Sequence, residues 1–325
     1  MTGAATSETS RSPESKSQPY GRPGLMAIGG LILLGLVWGL FFSLSRFAGE
    51  TGVEPVVLVA YMILAESPFF WLICWKRGRY PRIWRPVSML FYLMAATMGY
   101  FAPAVLELIS APIIGAGLLT VFVSMTPLIT VVLAFAMRTE PPSLRKTCGV
   151  VVGTLALLPI MLREDLVIPL PELAMQGFTY AIMVAICYAF YHNLVAKFWP
   201  EGEDNWQLAT GETVAGGVIF VPFALLVYGF EPIPLSDSNL ILLFSGYMLL
   251  SMTSIYLYFY LLKAGGPIFV SLSGFISLGA GVGFGILFFG ERHPHWVGYC
   301  LLVMLGAIWL TSSPKKEKIL NPYQT

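Results

Sequence analysis

The sequence predicts an all-α polytopic membrane protein of ten transmembrane helices, arranged as two inverted five-helix repeats with the N- and C-termini cytoplasmic. Three observations predict it. First, apolar stretches of about the length needed to cross a bilayer recur ten times between Leu25 and Thr311, in a chain that is 56% hydrophobic and only 11% charged. A helix rises ~1.5 Å per residue, so roughly twenty residues cross a hydrocarbon core of about 30 Å. Second, the loops alternate in positive charge. With a cytoplasmic N-terminus, only Arg46, Arg163 and Arg292 of the 19 Lys and Arg fall on the opposite face, a strong positive-inside pattern. Third, five stretches precede and five follow the charged, Pro-containing segment Glu164–Pro171. A duplicated unit with an odd number of spans must enter the membrane from opposite faces in its two copies.

The spans read Leu25–Phe47, Val56–Trp75, Val87–Leu106, Ile113–Met137, Thr147–Leu162, Leu173–Phe198, Gln207–Tyr228, Asn239–Leu262, Gly266–Phe289 and His295–Thr311. The first carries Trp38, Phe42 and Ser45 on one stripe, with Gly35 and Gly39 at close-packing spacing. The second has Glu66 at its centre, two residues before Pro68. The third contains Pro103 and ends at Glu107, on the helical face of Tyr100. Thr120, Ser124 and Pro127 form the stripe of the fourth, which closes at Arg138-Thr-Glu140; the fifth is the shortest and pairs Gly149 with Gly153. In the sixth, Tyr188 and His192 lie one turn apart, and Glu212 opens the seventh. Tyr247, Ser251, Ser254 and Tyr258 of the eighth follow i, i+4, i+7, i+11 spacing and share one narrow face. The ninth offers Ser273 and Ser277 ahead of Gly279, Gly281, Gly283 and Gly285, a run read as helix packing rather than a phosphate loop because no strand precedes it.

Residues 1–24, rich in Ser, Thr and Pro, read as a disordered cytoplasmic tail, followed by a first repeat over 25–163, a second over 173–312 and a tail over 313–325. The net charge of +1 shows no basic patch beyond the positive-inside loops, so no nucleic-acid partner is expected. Cys74, Cys148, Cys187 and Cys300 form no CxxC pair, which indicates neither a disulfide framework nor a zinc site. Glu291, His293 and His295 read as solvated loop residues, and no metal or cofactor is expected.

Lipid offers hydroxyls and carboxyls no partners, so polar stripes inside spans face protein or a cavity. The candidate solute-binding residues are Trp38, Phe42, Tyr100, Ser124, Tyr188, Tyr247, Ser251, Ser254 and Tyr258. The candidates for proton coupling or gating are Glu66, Glu107, His192 and Glu212. Each has a second reading. An ionised carboxylate at the centre of a span costs about 2.5–3.5 kcal/mol even on insertion scales. Glu66 is therefore either a proton or ammonium site, or a neutral side chain bonded to backbone opened by Pro68. Glu107 is either a loop residue or a gate; His192 and Glu212 are either an interfacial pair across the Trp199–Trp206 hairpin or part of a proton relay.

The two halves also share landmarks. Gly35–Ser43 parallels Ala185–Asn193 at an offset of 150, and at an offset of 151 Gly115 aligns with Gly266 and Glu140 with Glu291. Trp38-Gly39, the spacing of Pro127 to Glu140, and Phe289-Gly-Glu291-Arg292 before a Gly-containing last span carry a family resemblance. The chain resembles the EamA-like members of the drug/metabolite transporter (DMT) superfamily over residues 25–312. The resemblance implies alternating access to a central cavity lined by the first, third, fourth, sixth, eighth and ninth spans. It also implies a secondary transporter, not an enzyme, exporting a small neutral or zwitterionic metabolite such as an amino acid. A drug or amphiphile exporter is the alternative; a membrane-embedded enzyme lacks a cluster of catalytic groups at one depth. The expected setting is a bacterial inner membrane, with a small-molecule substrate, possible proton coupling, and a monomer or homodimer.

Overall fold

A computed structural model describes residues 23–49, 52–161, 172–229, 238–289 and 295–312. Among these the only regular structure is helix, with no strand. The helices are α1 (Leu25–Gly49), α2 (Pro55–Arg77), α3 (Pro86–Ala95), a π-helical turn (Ala96–Phe101), α4 (Ala102–Ile114), α5 (Ala116–Val123) and α6 (Thr126–Met137). They continue with α7 (Leu144–Leu155), α8 (Leu158–Met161), α9 (Glu172–Phe198), α10 (Asn205–Tyr228), α11 (Ser238–Ser271), α12 (Ser273–Phe289) and α13 (His295–Ser312). Among the described residues six helical segments are long and apolar enough to cross a membrane: Leu25–Gly49, Pro55–Arg77, Pro86–Ile114, Ala116–Met137, Met175–Phe198 and Asn205–Tyr228. A seventh candidate is the pair Phe244–Ser271 and Ser273–Phe284, bent by 70°. Large apolar side chains such as Leu226 and Leu287 point outward, 85% and 75% exposed, as lipid-facing positions do. This is a multi-pass membrane protein.

Local chemistry sets the helix ends. Asp204 accepts from the N–H groups of Trp206 and Gln207 while Gln207 reaches back to the Asp204 N–H, a full capping box at the start of α10. Ser143 caps α7, and Gly78 closes α2 in the left-handed conformation at φ 62°. One expected boundary moves. The third stretch does not end at Leu106: helix continues to Ile114 and turns only at Gly115. The eighth and ninth stretches part at a break of non-helical backbone at Gly266, the residue where the ninth was expected to begin, and the chain bends by 70° between Ser271 and Ser273. Pro103 explains one irregularity. It has no N–H to bond Gly99, and the ladder just before it widens so that the Ala102 N–H meets the Thr97 carbonyl, a π-type bond.

Small residues set the packing. Gly35 and Gly39 of α1 lie against α12, where a Cβ on Gly39 would sit 2.5 Å from the Ala280 Cβ. Gly149 and Gly153 of α7 meet Thr311 and Ala307 of α13. α2 packs on α10, and α4 on α9. The helix contacts fall into matching sets: α1 packs on α12 as α9 packs on α5 and α6, and α4 packs on α9 as α11 packs on α1. Gly115 (φ 82°, ψ 151°) and Gly266 (φ 86°, ψ 176°) hold the same backbone conformation, one that only glycine adopts readily. Just past the second of these breaks, the Ile268 N–H donates to Glu140 Oε1 at 3.0 Å, and Lys146 pairs with the other oxygen. Glu291, the expected equivalent of Glu140, lies outside the described residues, as do His293 and residues 1–22, 162–171 and 313–325.

Candidate solute-binding cavity

The polar stripes converge. A cavity with about 690 Å³ of empty space lies among α1, the π turn, α4, α9, α10 and α11. Its wall is aromatic: Trp38, Phe41, Phe42, Tyr100, Tyr188, Tyr191, His192, Tyr247 and Tyr258 all line it, with Ser251, Ser254, Glu107 and Glu212 among them. No Lys or Arg does.

Trp38 is the centre of this wall. Its indole N–H donates to Ser254 Oγ at 2.7 Å, and its ring stacks on Tyr188 (centroids 5.7 Å, 12°) and on His192 (6.3 Å, 5°). The donor bond and the two ring contacts together hold the indole in place. Tyr191 and Tyr258 stack at 4.7 Å, and Phe41 meets Tyr247 edge-on at 4.5 Å. Tyr247 OH lies 3.4 Å from Ser45 Oγ, which fixes the outer end of that ring.

Three carboxyls repeat one pattern. Tyr188 OH donates to Glu107 Oε1 at 2.7 Å, Tyr191 OH to Glu212 Oε2 at 2.7 Å, and Tyr100 OH to Glu66 Oε1 at 2.9 Å. All three glutamates are buried. Each phenol supplies one hydrogen bond, and no ion pair joins any of the three carboxyls among the described residues. Two buried polar atoms, Glu66 Oε2 and His192 Nε2, have no hydrogen-bond partner among the described residues.

Of the residues expected at a site, Trp38, Phe42, Tyr100, Glu107, Tyr188, His192, Glu212, Tyr247, Ser251, Ser254 and Tyr258 lie on the cavity wall. Ser124 does not. Its Oγ donates to the carbonyls of Thr120 and Gly274, closing the seam between α5 and α12. Glu66 sits behind Tyr100 rather than on the wall, and its carboxyl bonds that phenol rather than backbone freed by Pro68. The loop reading of Glu107 fails because the helix carries it past Leu106 into the interior. His192 and Glu212 form no interfacial pair: His192 Nδ1 lies 3.2 Å from Tyr258 OH, and Glu212 takes the Tyr191 phenol. Phe41, Gly99, Ala104, Ile255 and Tyr191 line the wall without having been expected there, and among these Tyr191 bonds a carboxyl. Its position three after Tyr188 and beside His192 was the available signal, obscured because the Tyr188–His192 stripe alone accounted for one helix face. Gly99 was missed for another reason: its role is to be small, since any Cβ there would collide with the Tyr191 ring.

The geometry has counterparts among known proteins. Residues 25–162, which span α1 to α8, match the family model described as the EamA-like transporter family. The match covers 138 of the 325 residues. Protein PecM of Dickeya dadantii (strain 3937) is 26% identical over 252 residues, covering 74% of this chain and 79% of that protein. A solved crystal structure at 11% identity covers 88% of this chain and 96% of its own, with a TM-score of 0.63; that likeness shows the fold alone. The matching family model is thus one of transporters.

Proposed function

We propose that this chain is a ten-span secondary transporter of a bacterial inner membrane, whose two oppositely inserted five-helix repeats alternate access to the aromatic cavity. The solute is a small metabolite carrying an ammonium group, exported, with amino acids first among candidates. The observation that carries this reading is the charge of the wall. Among the described residues Glu107 and Glu212 line a cavity without Lys or Arg, and each accepts from a phenol. A carboxylate buried without a cation is costly, so the site favours an ammonium or a proton in its place. A solute cation and a proton then compete for the same oxygens, which is the simplest basis for coupling one to the other. Aromatic faces add attraction for the same ammonium.

Support for the repeat comes from the matched helix contacts, from the shared conformation of Gly115 and Gly266, and from Ser124. Ser124 and Gly274, one repeat length apart, touch each other, as residues on a two-fold axis must. The expected first and second repeats, 25–163 and 173–312, are the moving bodies in this scheme.

A second reading, an exporter of amphiphilic cations, is favoured by the same wall: among its described residues the carboxylate of an amino acid would meet no Lys or Arg. Three matched solutes decide between them. In thermal-shift titrations of the purified protein, phenylalanine and phenethylamine are both expected to stabilise saturably, since a ligand of the folded state raises apparent stability by mass action. Phenylacetate is expected to give no shift. Stabilisation by phenethylamine alone would select the amphiphile reading, and stabilisation by phenylacetate would defeat both.

A further inference from the structure

Outside the central cavity, the loop joining α2 to α3 presents two adjoining recesses. One is an open groove of about 1460 Å³ of empty space, lined by Pro68, Trp71, Leu72, Trp75 and Trp84 with Val218 of α10 opposite. The other is lined by Trp71, Tyr80, Trp84, Arg82 and Arg85. Trp71 and Trp84 belong to both, so apolar groove and basic recess form one continuous surface. Trp84 is 87% exposed and Trp75 62%, an unusual display of indole unless something apolar covers it.

The charges on this surface are unequally committed. Asp204 takes Arg77 at 2.9 Å and lies 3.9 Å from Arg79. Glu203 is buried and turned inward, accepting the Arg82 backbone N–H at 2.9 Å and the Tyr92 hydroxyl. That leaves the guanidinium groups of Arg82 and Arg85, both exposed, with no carboxylate partner among the described residues. Glu203 also pins the backbone of their loop, so the two arginines project from a fixed base. Dimensions agree as well. From Pro68 at the deep end to Arg77 at the helix end is nine residues, or about 14 Å of helix, close to the depth of one leaflet of a core about 30 Å thick.

We propose that this surface binds one anionic phospholipid, its phosphate held by Arg82 and Arg85 and an acyl chain lying along Trp71, Trp75 and Val218. Basic side chains at a membrane surface favour anionic head groups, and indoles favour the same depth. The site is independent of the solute reading, because none of its residues lines the central cavity.

The test is a thermal-shift titration of the full chain in detergent with dioleoyl phosphatidylglycerol, dioleoyl phosphatidylcholine and inorganic phosphate, with native mass spectrometry to count bound lipid and protein copies. Phosphatidylglycerol is expected to stabilise at roughly tenfold lower concentration than phosphatidylcholine, with one copy retained. The double variant Arg82→Gln/Arg85→Gln is expected to bring that ratio to about one, while Arg82→Lys/Arg85→Lys keeps most of it. Val218→Trp, at an exposed groove position, is expected to weaken both lipids. Equal response to the two lipids, a response to phosphate alone, or a preference that survives the glutamine variant would overturn the proposal. So would loss of a dimer in Val218→Trp, which would make the groove a contact between two copies.

Discussion

Tyr188 and Glu107 show what a single hydrogen bond does inside this molecule. The carboxyl is buried and Tyr188 is its donor at 2.7 Å. Replacing Tyr188 with Phe leaves Glu107 Oε1 without that donor, at a cost of about 1–3 kcal/mol for an orphaned buried group. A lower Tm for Tyr188→Phe is the expected outcome, with partial recovery in the double variant with Glu107→Leu, which removes the orphaned acceptor as well. Trp38 acts differently, since its stacking on Tyr188 and His192 shapes the wall. Trp38→Ala is expected to raise the Kd for phenethylamine by about 5- to 30-fold if the indole meets the ammonium face-on; an unchanged Kd in the titration would remove Trp38 from the binding wall. These side chains were legible in the sequence because polar groups at helical spacing inside apolar spans have few places to go. Which carboxyl pairs with which phenol was not legible. Tyr188 and Tyr191 sit on one helix and reach Glu107 and Glu212 on two others, and sequence spacing carries no information about that choice.

At the scale of elements, glycine does most of the specifying. Gly266 breaks α11 in a conformation closed to side chains, and Glu140 anchors the backbone just beyond it through Ile268. Gly266→Ala is expected to cost about 1–3 kcal/mol of stability through backbone strain. Gly283→Ala is the control: a Cβ there meets nothing within 4 Å, so the variant is expected to be neutral or slightly stabilising. Equal Tm values for the two variants would contradict this account of the break. Gly39 tests close packing instead. Gly39→Leu drives a side chain into Ala280 and is expected to destabilise the α1–α12 contact by about 1–3 kcal/mol, read as a drop in Tm. The pairing of Gly115 with Gly266 was legible as an alignment of two halves, but its cause, a shared positive φ, was not. The helical course through 107–112 was also hidden, because Glu107 and Pro112 resemble loop punctuation while Pro112 is in fact carried within α4. Proline lacks a donor yet survives inside a membrane helix when neighbouring groups absorb the freed carbonyl.

For the whole molecule, the same charge pattern that marks the faces of the membrane also leaves the interior cavity acidic. The positive charges gather at loops such as Lys76–Arg85, while the cavity keeps Glu107 and Glu212 behind aromatic rings. Six or seven segments satisfy a spanning test among the described residues, whereas hydropathy and charge alternation suggested ten. The gap has a physical source: α7 and α13 are short, and a 70° bend between Ser271 and Ser273 breaks the expected ninth stretch. The central claim is that the cavity passes solutes by their ammonium group. The direct measurement is exchange in proteoliposomes loaded in turn with phenethylamine, phenylalanine and phenylacetate, with external labelled solute of the same kind. The account predicts exchange of phenethylamine and phenylalanine, none of phenylacetate, and at least a tenfold slower exchange in Glu107→Gln/Glu212→Gln, the loss of about 1.4 kcal/mol or more of binding. Exchange of phenylacetate, or an undiminished rate in that double variant, would contradict it.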